Sequence, residues 1–165
     1  MFFIFNNKIL NYKIKLYFFT IKEIYKIRFI YNYRKENMNL LKTQLKSITT
    51  QKDLKIMEVV FDNETLYMIL LELPINLNIN DSVTLGIKPL HIAISKNFHV
   101  DTSFLNQIKV SVIAIEVGEL LTAIEGVVNG VILQSVITTK AYYRLGINIG
   151  DTVIMLLPAS ELFIV

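Results

Sequence analysis

Residue types that perform covalent or metal chemistry are scarce in this chain. There is no Cys, which removes thiolate zinc sites, thiol nucleophiles and disulfides. Only two His occur, His91 and His99, too few for a His-rich metal centre. No Gly-rich phosphate loop and no His–carboxylate pair stands out in the spacing. Glu116, Glu119 and Glu125 fall in turn regions and read as solvated charges. His91, in the alternating run HIAIS, reads as a half-exposed strand residue, and His99 as part of a polar linker. The chain is therefore read as a non-enzyme with no catalytic residue and no metal-ligand set. Its polar chemistry lies in hydroxyls, side-chain amides, lysines and backbone N–H groups.

The elements that must position those groups are short and mostly extended. All six Gly and all three Pro lie in residues 38–165, where they punctuate apolar runs. Strands are predicted at 56–61, 66–71, 83–87, 91–95, 108–116, 120–124, 131–138, 152–157 and 161–165, a spacing close to that of a sandwich or barrel. Residues 41–50 fit a strand or a helix equally. Residues 139–145 (TKAYYRL) read as one short helix. Thr138 or Thr139 can cap its start, and Gly146 stands where a left-handed residue ends a helix.

Residues 1–37 are a different material. They carry eight basic and two acidic side chains, against nine and twelve in residues 38–165. They hold 11 of the 18 Phe and Tyr residues, and no Gly or Pro. Their longest uncharged runs, 1–7 and 16–21, are far short of the roughly 18 residues a membrane-spanning helix needs. Three readings stay open: translated upstream sequence with the start at Met38, a basic interfacial helix, or an extra element packed on the domain. The segment is set aside as an N-terminal extension outside the domains.

The body repeats. Residues 80–95 (NDSVTLGIKPLHIAIS) parallel 150–165 (GDTVIMLLPASELFIV) at an offset of 70. Near the repeat starts, Gln44-Leu45 pairs with Gln107-Ile108 at an offset of 63, which makes the second copy about seven residues longer. The expected copies are 38–98 and 99–165. Each is marginal alone at roughly 60 residues, so they should pack on each other or on further subunits.

The second copy resembles a TOBE domain of the Mop type, a small barrel that binds molybdate or tungstate. The resemblance rests on Ser103-Phe-Leu-Asn106-Gln107-Ile108, Glu116-Val-Gly118, Ser135-Val-Ile137-Thr138, Leu145-Gly146 with Gly150-Asp151, and Pro158-Ala159-Ser160. The first copy is similar but weaker, through Lys42-Thr43-Gln44-Leu45, Asn80-Asp81 and Ile87-Lys88-Pro89. The resemblance implies an all-β fold of two tandem small OB-like TOBE barrels, with one short helix in the second copy. It implies a cytoplasmic oxyanion-binding protein for storage, homeostasis or sensing. Its bound ligand would be molybdate or tungstate, and it would assemble with itself as a trimer or larger ring. The implied contacts are Ser103, Asn106, Thr138, Ala159 and Ser160, with Lys88 and Lys42 supplying charge.

Two departures bear on that set. The basic residue expected before Asn106 is Leu105, and the Lys expected before Ala159 is Pro158. Basic partners thus lie in one copy and hydroxyl partners in the other. A site for a tetrahedral dianion must supply donors only, each contributing roughly 1.5–3 kcal/mol when the partner is charged. The alternative reading is an interaction or regulatory module of a molybdate transport system, working with a transporter or regulator protein, whose ligand site has decayed. Nucleic acid is not an expected partner, because the body is mildly acidic and sparse in aromatics. No helix-turn-helix precedes the repeats, and no membrane span is predicted.

Overall fold

The computed structural model describes residues 38–73, 76–98 and 101–165. Met38–Val165 form one compact unit. The readings of residues 1–37 and of His99 fall outside the described residues.

The first copy contains β1 (Asn39–Gln51), β2 (Leu54–Phe61), β3 (Glu64–Leu70), β4 (Ser82–Ile87), a 3-10 turn (Pro89–His91) and β5 (Ala93–Ser95). The second contains β6 (Asn106–Val117), β7 (Leu121–Val128), β8 (Val131–Thr138), helix α1 (Thr139–Leu145), β9 (Thr152–Leu157) and β10 (Phe163–Ile164). Period-two alternation explains the long strands. In β1, Leu41, Thr43 and Leu45 point inward while Leu40, Lys42, Gln44 and Lys46 point out. That settles 41–50 as strand. The same pattern runs through β6 from Asn106 to Val112.

Two five-stranded antiparallel sheets result, ordered β10-β4-β1-β2-β3 and β5-β9-β6-β7-β8. The first half of β1 pairs with β4 and its second half with β2, with a bulge between Leu45 and Ser47. β6 does the same with β9 and β7, bulged between Val112 and Ala114. A bulge in a shared strand bends it and increases its twist. Each sheet therefore curls on its long first strand into a small OB-like barrel. The cores are continuous: Leu41, Met57 and Leu85 belong to one buried cluster with Ile108, Ile124 and Met155.

The sheets do not follow the repeat boundary. β5, from the first copy, closes the second sheet on β9, and β10, from the second copy, closes the first sheet on β4. The tails are reciprocally exchanged.

Three expectations are corrected. The two copies align at an offset of 67, not 63, through their first three strands, because Asn39 matches Asn106 and the bulges match. The offset of 70 holds from β4 and β9 onward. The second copy is thus longer by three residues, and the extra length lies in the β8–β9 connection that holds α1. The run 91–95 is strand only from Ala93, because Pro89 opens a helical turn that takes in His91. The third concerns the absent His–carboxylate pair: His91 Nδ1 lies 2.7 Å from Glu161 Oε2. Nothing in the linear spacing brings these residues together; the exchange of tails does.

Helix α1 forms as its sequence dictates. Thr138 is extended at the N-cap, and its hydroxyl accepts from Ala141 N. Gly146 ends the helix at φ 57, ψ 46 and donates to Tyr142 O. Thr139 turns inward instead, donating to Gly118 O at 2.9 Å and meeting Thr122 Oγ1 at 3.0 Å.

Candidate functional site

Apart from Lys42, the expected site residues lie on strand ends and turns that lead to two corners related by the repeat, both at the joint between the barrels. The first is built on β6. Asn106 is fully buried, and its side chain spans the joint. It accepts from Tyr67 N at 2.7 Å and donates to Tyr67 O at 2.8 Å, stapling β3 of the other barrel. It also donates to Leu157 O at 3.1 Å in β9. Beside it the turn Pro158–Glu161 docks on β3, where Ile69 N donates to Ala159 O at 2.9 Å. This corner therefore holds Asn106 and Ala159, with Ser160 next to Ala159 and Ser103 three residues before Asn106 in the chain.

The second corner repeats the pattern with the copies exchanged. Asn39 accepts from Gln134 N at 2.6 Å and donates to Gln134 O at 2.9 Å, on β8. It also donates to Ile87 O at 3.3 Å in β4. The Pro89–His91 turn packs on β8, and Ser135 Oγ donates to Ile92 O at 2.6 Å. Lys88 opens this turn, and Thr138 ends β8, the strand on which the turn packs.

Within one chain the seven expected residues are thus not one cluster. Lys42 belongs to neither corner. It faces outward from the middle of β1 and is the equivalent of Lys109, not of Leu105. The equivalent of Leu105 is Met38. Asn106 lies at the corner, but all its amide groups are engaged by backbone, so its role is to join the barrels. Ala159 offers its carbonyl to Ile69, which leaves only its N–H for a ligand. The groups still able to donate are exposed: Ser103, Ser160, Lys88 and the Thr138 hydroxyl proton. Among the described residues no hydrogen bond or ion pair engages the side chains of Lys88, Ser103 or Ser160. Such an arrangement can hold an acceptor-rich anion by hydrogen bonds and one ammonium charge.

The corners differ in what they present. Lys88 is the repeat equivalent of Pro158, Leu90 of Ser160, and Leu71 of Thr138. Charge therefore sits at the second corner and hydroxyls at the first, with Thr138 the exception. Leu71, Leu90 and Leu105 are exposed by 67%, 52% and 68%.

Asn39 was invisible to the motif reading, although its signal was present. Asn39-Leu-Leu-Lys42 and Asn106-Gln-Ile-Lys109 share an N-x-(Leu/Ile)-Lys frame that fixes the true register. Asp151 has the one carboxyl held away from its ordinary range among the described residues. Lys96 donates to it at 2.9 Å and Asn148 N at 3.0 Å, and both hold it below 3.8. This pair braces the turn after α1 and is remote from both corners in sequence. No three of His, Asp or Glu among the described residues are placed to hold a metal ion.

Comparison with known proteins gives the second copy its family. The TOBE domain family matches residues 102–164. The match takes in Ser103, Asn106, Thr138, Ala159 and Ser160. The first copy repeats the topology of this matched segment strand for strand. A solved structure, described as the cytoplasmic molybdate-binding protein ModG with molybdate bound, superimposes with a TM-score of 0.72. It is 17% identical and covers 76% of this chain and 94% of that one, a likeness of fold. No curated protein sequence matches the chain.

Proposed function

We propose that the chain binds a tetrahedral oxyanion, molybdate or tungstate, as a tandem TOBE protein of storage, homeostasis or sensing, and that it catalyses no reaction. One observation carries this reading: unengaged donors lie at the inter-barrel corners of a TOBE fold. The fold is that of a molybdate-binding protein, as the ModG structure is described. Lys88 supplies the charge, and Thr138 supplies a hydroxyl whose lone pair is already used by its own helix. Ser103, Ser160 and the Ala159 N–H supply neutral donors at the other corner.

The donors of one corner are few. Micromolar affinity needs about −8 kcal/mol, and each charge-assisted hydrogen bond contributes roughly 1.5–3 kcal/mol. Three to five such bonds, roughly, are required before desolvation is subtracted. One corner of one chain does not reach that number with side chains alone. A complete site therefore draws on a second subunit, which places a homo-oligomer in the proposal. A cytoplasmic location goes with this reading. Among the described residues no helix is long and apolar enough to cross a membrane.

A calorimetric titration of molybdate into the full chain, with sulfate as control, tests the reading. Saturable micromolar binding, weakened at least tenfold by Lys88→Ala and absent for sulfate, is expected. No heat from folded, assembled protein contradicts it.

A second reading has its own observation. Leu71, Leu90 and Leu105 put apolar side chains where a donor or cation is expected. That substitution favours an interaction module of a molybdate transport system whose anion site has been replaced by a protein contact. Absence of molybdate binding, together with capture of a transporter or regulator subunit, supports this reading over the first.

A further inference from the structure

The exchanged tails carry unequal side chains. Phe163 on β10 lies opposite Gly86 on β4. A Cβ on Gly86 would stand 2.6 Å from two ring atoms of Phe163 and 2.9 Å from Val165 Cγ2. At the equivalent place in the second sheet, Ala93 on β5 lies opposite Leu156 on β9. Each closure sets large against small, in opposite senses.

We propose that this size match addresses each tail to the unlike repeat, making the joint a surface that accepts an unlike repeat and rejects a like one. Were each tail to close its own repeat, Phe163 would face Leu156 and Ala93 would face Gly86. The Leu156 closure would be overfilled, and Gly86 would lose the Phe163 ring that covers it. Overfilling forces side chains off their rotamers, and an uncovered Gly86 face loses packing contacts.

Contacts on the axis between the repeats act in the same sense. A residue that touches its own repeat equivalent must lie on that axis. Two pairs do so. Asn129 Nδ2 donates to Asp62 Oδ2, 67 residues away, and His91 Nδ1 meets Glu161 Oε2, 70 residues away. In the observed pairing the Asn129 amide donates to the Asp62 carboxylate, and an imidazole rather than a second carboxylate lies beside Glu161. Joining two first repeats would set Asp62 against Asp62. Joining two second repeats would set Glu161 against Glu161. Like charges directly opposed disfavour both, which is specificity by exclusion of the wrong partner. The occupant this surface fits is the other repeat of the same chain. The inference is independent of the anion reading.

The absence of Cys makes the test direct, because an introduced pair is the only pair. Val165 N donates to Thr84 O at 3.0 Å, so Thr84→Cys with Val165→Cys reports the exchanged closure. Ile154→Cys with Val165→Cys reports self-closure, Ile154 being the repeat equivalent of Thr84. In the full chain refolded under oxidising conditions, the first pair cross-links within one chain and the second does not. Adding Gly86→Leu and Phe163→Ala makes both closures Leu against Ala, and the second cross-link then appears. Equal cross-linking of both pairs in the native background, or no change on adding the two substitutions, overturns the proposal. A second measurement needs no cross-link. Gly86→Ala lowers the thermal midpoint, and Phe163→Ala costs less in that background than in the native one. Strictly additive shifts overturn it as well.

Discussion

The two repeats build the same corner from the same staple and then furnish it differently. Asn39 and Asn106 each take a backbone N–H and carbonyl of the opposite barrel, at Gln134 and Tyr67. Both asparagines are buried with their amide groups used, so neither is available to a ligand. Around them the second repeat keeps hydroxyls and a capped helix, while the first keeps a lysine. The lesson is a division between groups that join the barrels and groups that face solvent at the joint. The first set is symmetric and the second is not.

The largest expected effect breaks the symmetric set. Asn106→Ala leaves Tyr67 N, Tyr67 O and Leu157 O without their partner. At roughly 1–3 kcal/mol for each unsatisfied buried group, a loss on the order of 3–5 kcal/mol is expected. Asn39→Ala should cost the same within about 1 kcal/mol, because its bonds are the repeat equivalents. Denaturant unfolding measures both. A large cost at one position and none at the other would show that the joint is not symmetric in energy.

Helix α1 sharpens the asymmetric set. Gly146 holds φ 57, so Gly146→Ala should destabilise by about 1–2 kcal/mol, read as a lowered denaturation midpoint. Gly146→Asn, which tolerates that conformation better, should recover most of it. Thr138→Ala should cost about 1 kcal/mol through the lost cap. It should also weaken molybdate binding in calorimetry, while Thr138→Ser preserves both. An unchanged affinity in Thr138→Ala would remove this residue from the site and leave it a cap alone.

The smallest effect concerns Asp151. Its carboxyl is held below the ordinary value by Lys96 and by Asn148 N. A group depressed in the folded state stabilises above its unfolded pKa and loses that contribution as pH falls through the folded one. Lys96→Met should therefore lower stability slightly at neutral pH. The difference from the native chain should shrink as pH falls through the folded-state pKa, which lies below the ordinary carboxylate value. Because the pair is exposed, salt should shrink the difference too. A pH series of thermal midpoints checks the sign. Asp81, the repeat equivalent, accepts from Asn78 N and has no lysine partner among the described residues, so its removal should lack the salt dependence.

Local signals were legible in the chain. Alternation located the strands, and Thr138 with Gly146 marked both ends of α1. The repeat was visible from 80–95 against 150–165. What failed was everything set by distant partners. The offset of 63 arose because Gln-Leu and Gln-Ile look alike, whereas Asn39 and Asn106 are equivalent by what they bind across the joint. Lys42 drew attention through that false register and proved an outward strand residue. His91 and Glu161 meet only because tails are exchanged, which no linear pattern announces. The free donors Lys88, Ser103 and Ser160 were legible because motif position fixed them. Their separation into two corners was not, since it depends on which β-strand each turn packs against.

The central claim is that an oxyanion sits at these corners. Tungstate scatters X-rays anomalously and serves as both ligand and marker. The direct test is a crystal of the full chain soaked in tungstate, with anomalous density calculated at the tungsten edge. The account predicts a peak within hydrogen-bonding reach of Lys88 and Thr138, or of Ser103 and Ser160, with the site completed by a neighbouring subunit. A peak elsewhere, or no peak in crystals that contain tungstate at concentrations far above micromolar, would contradict it.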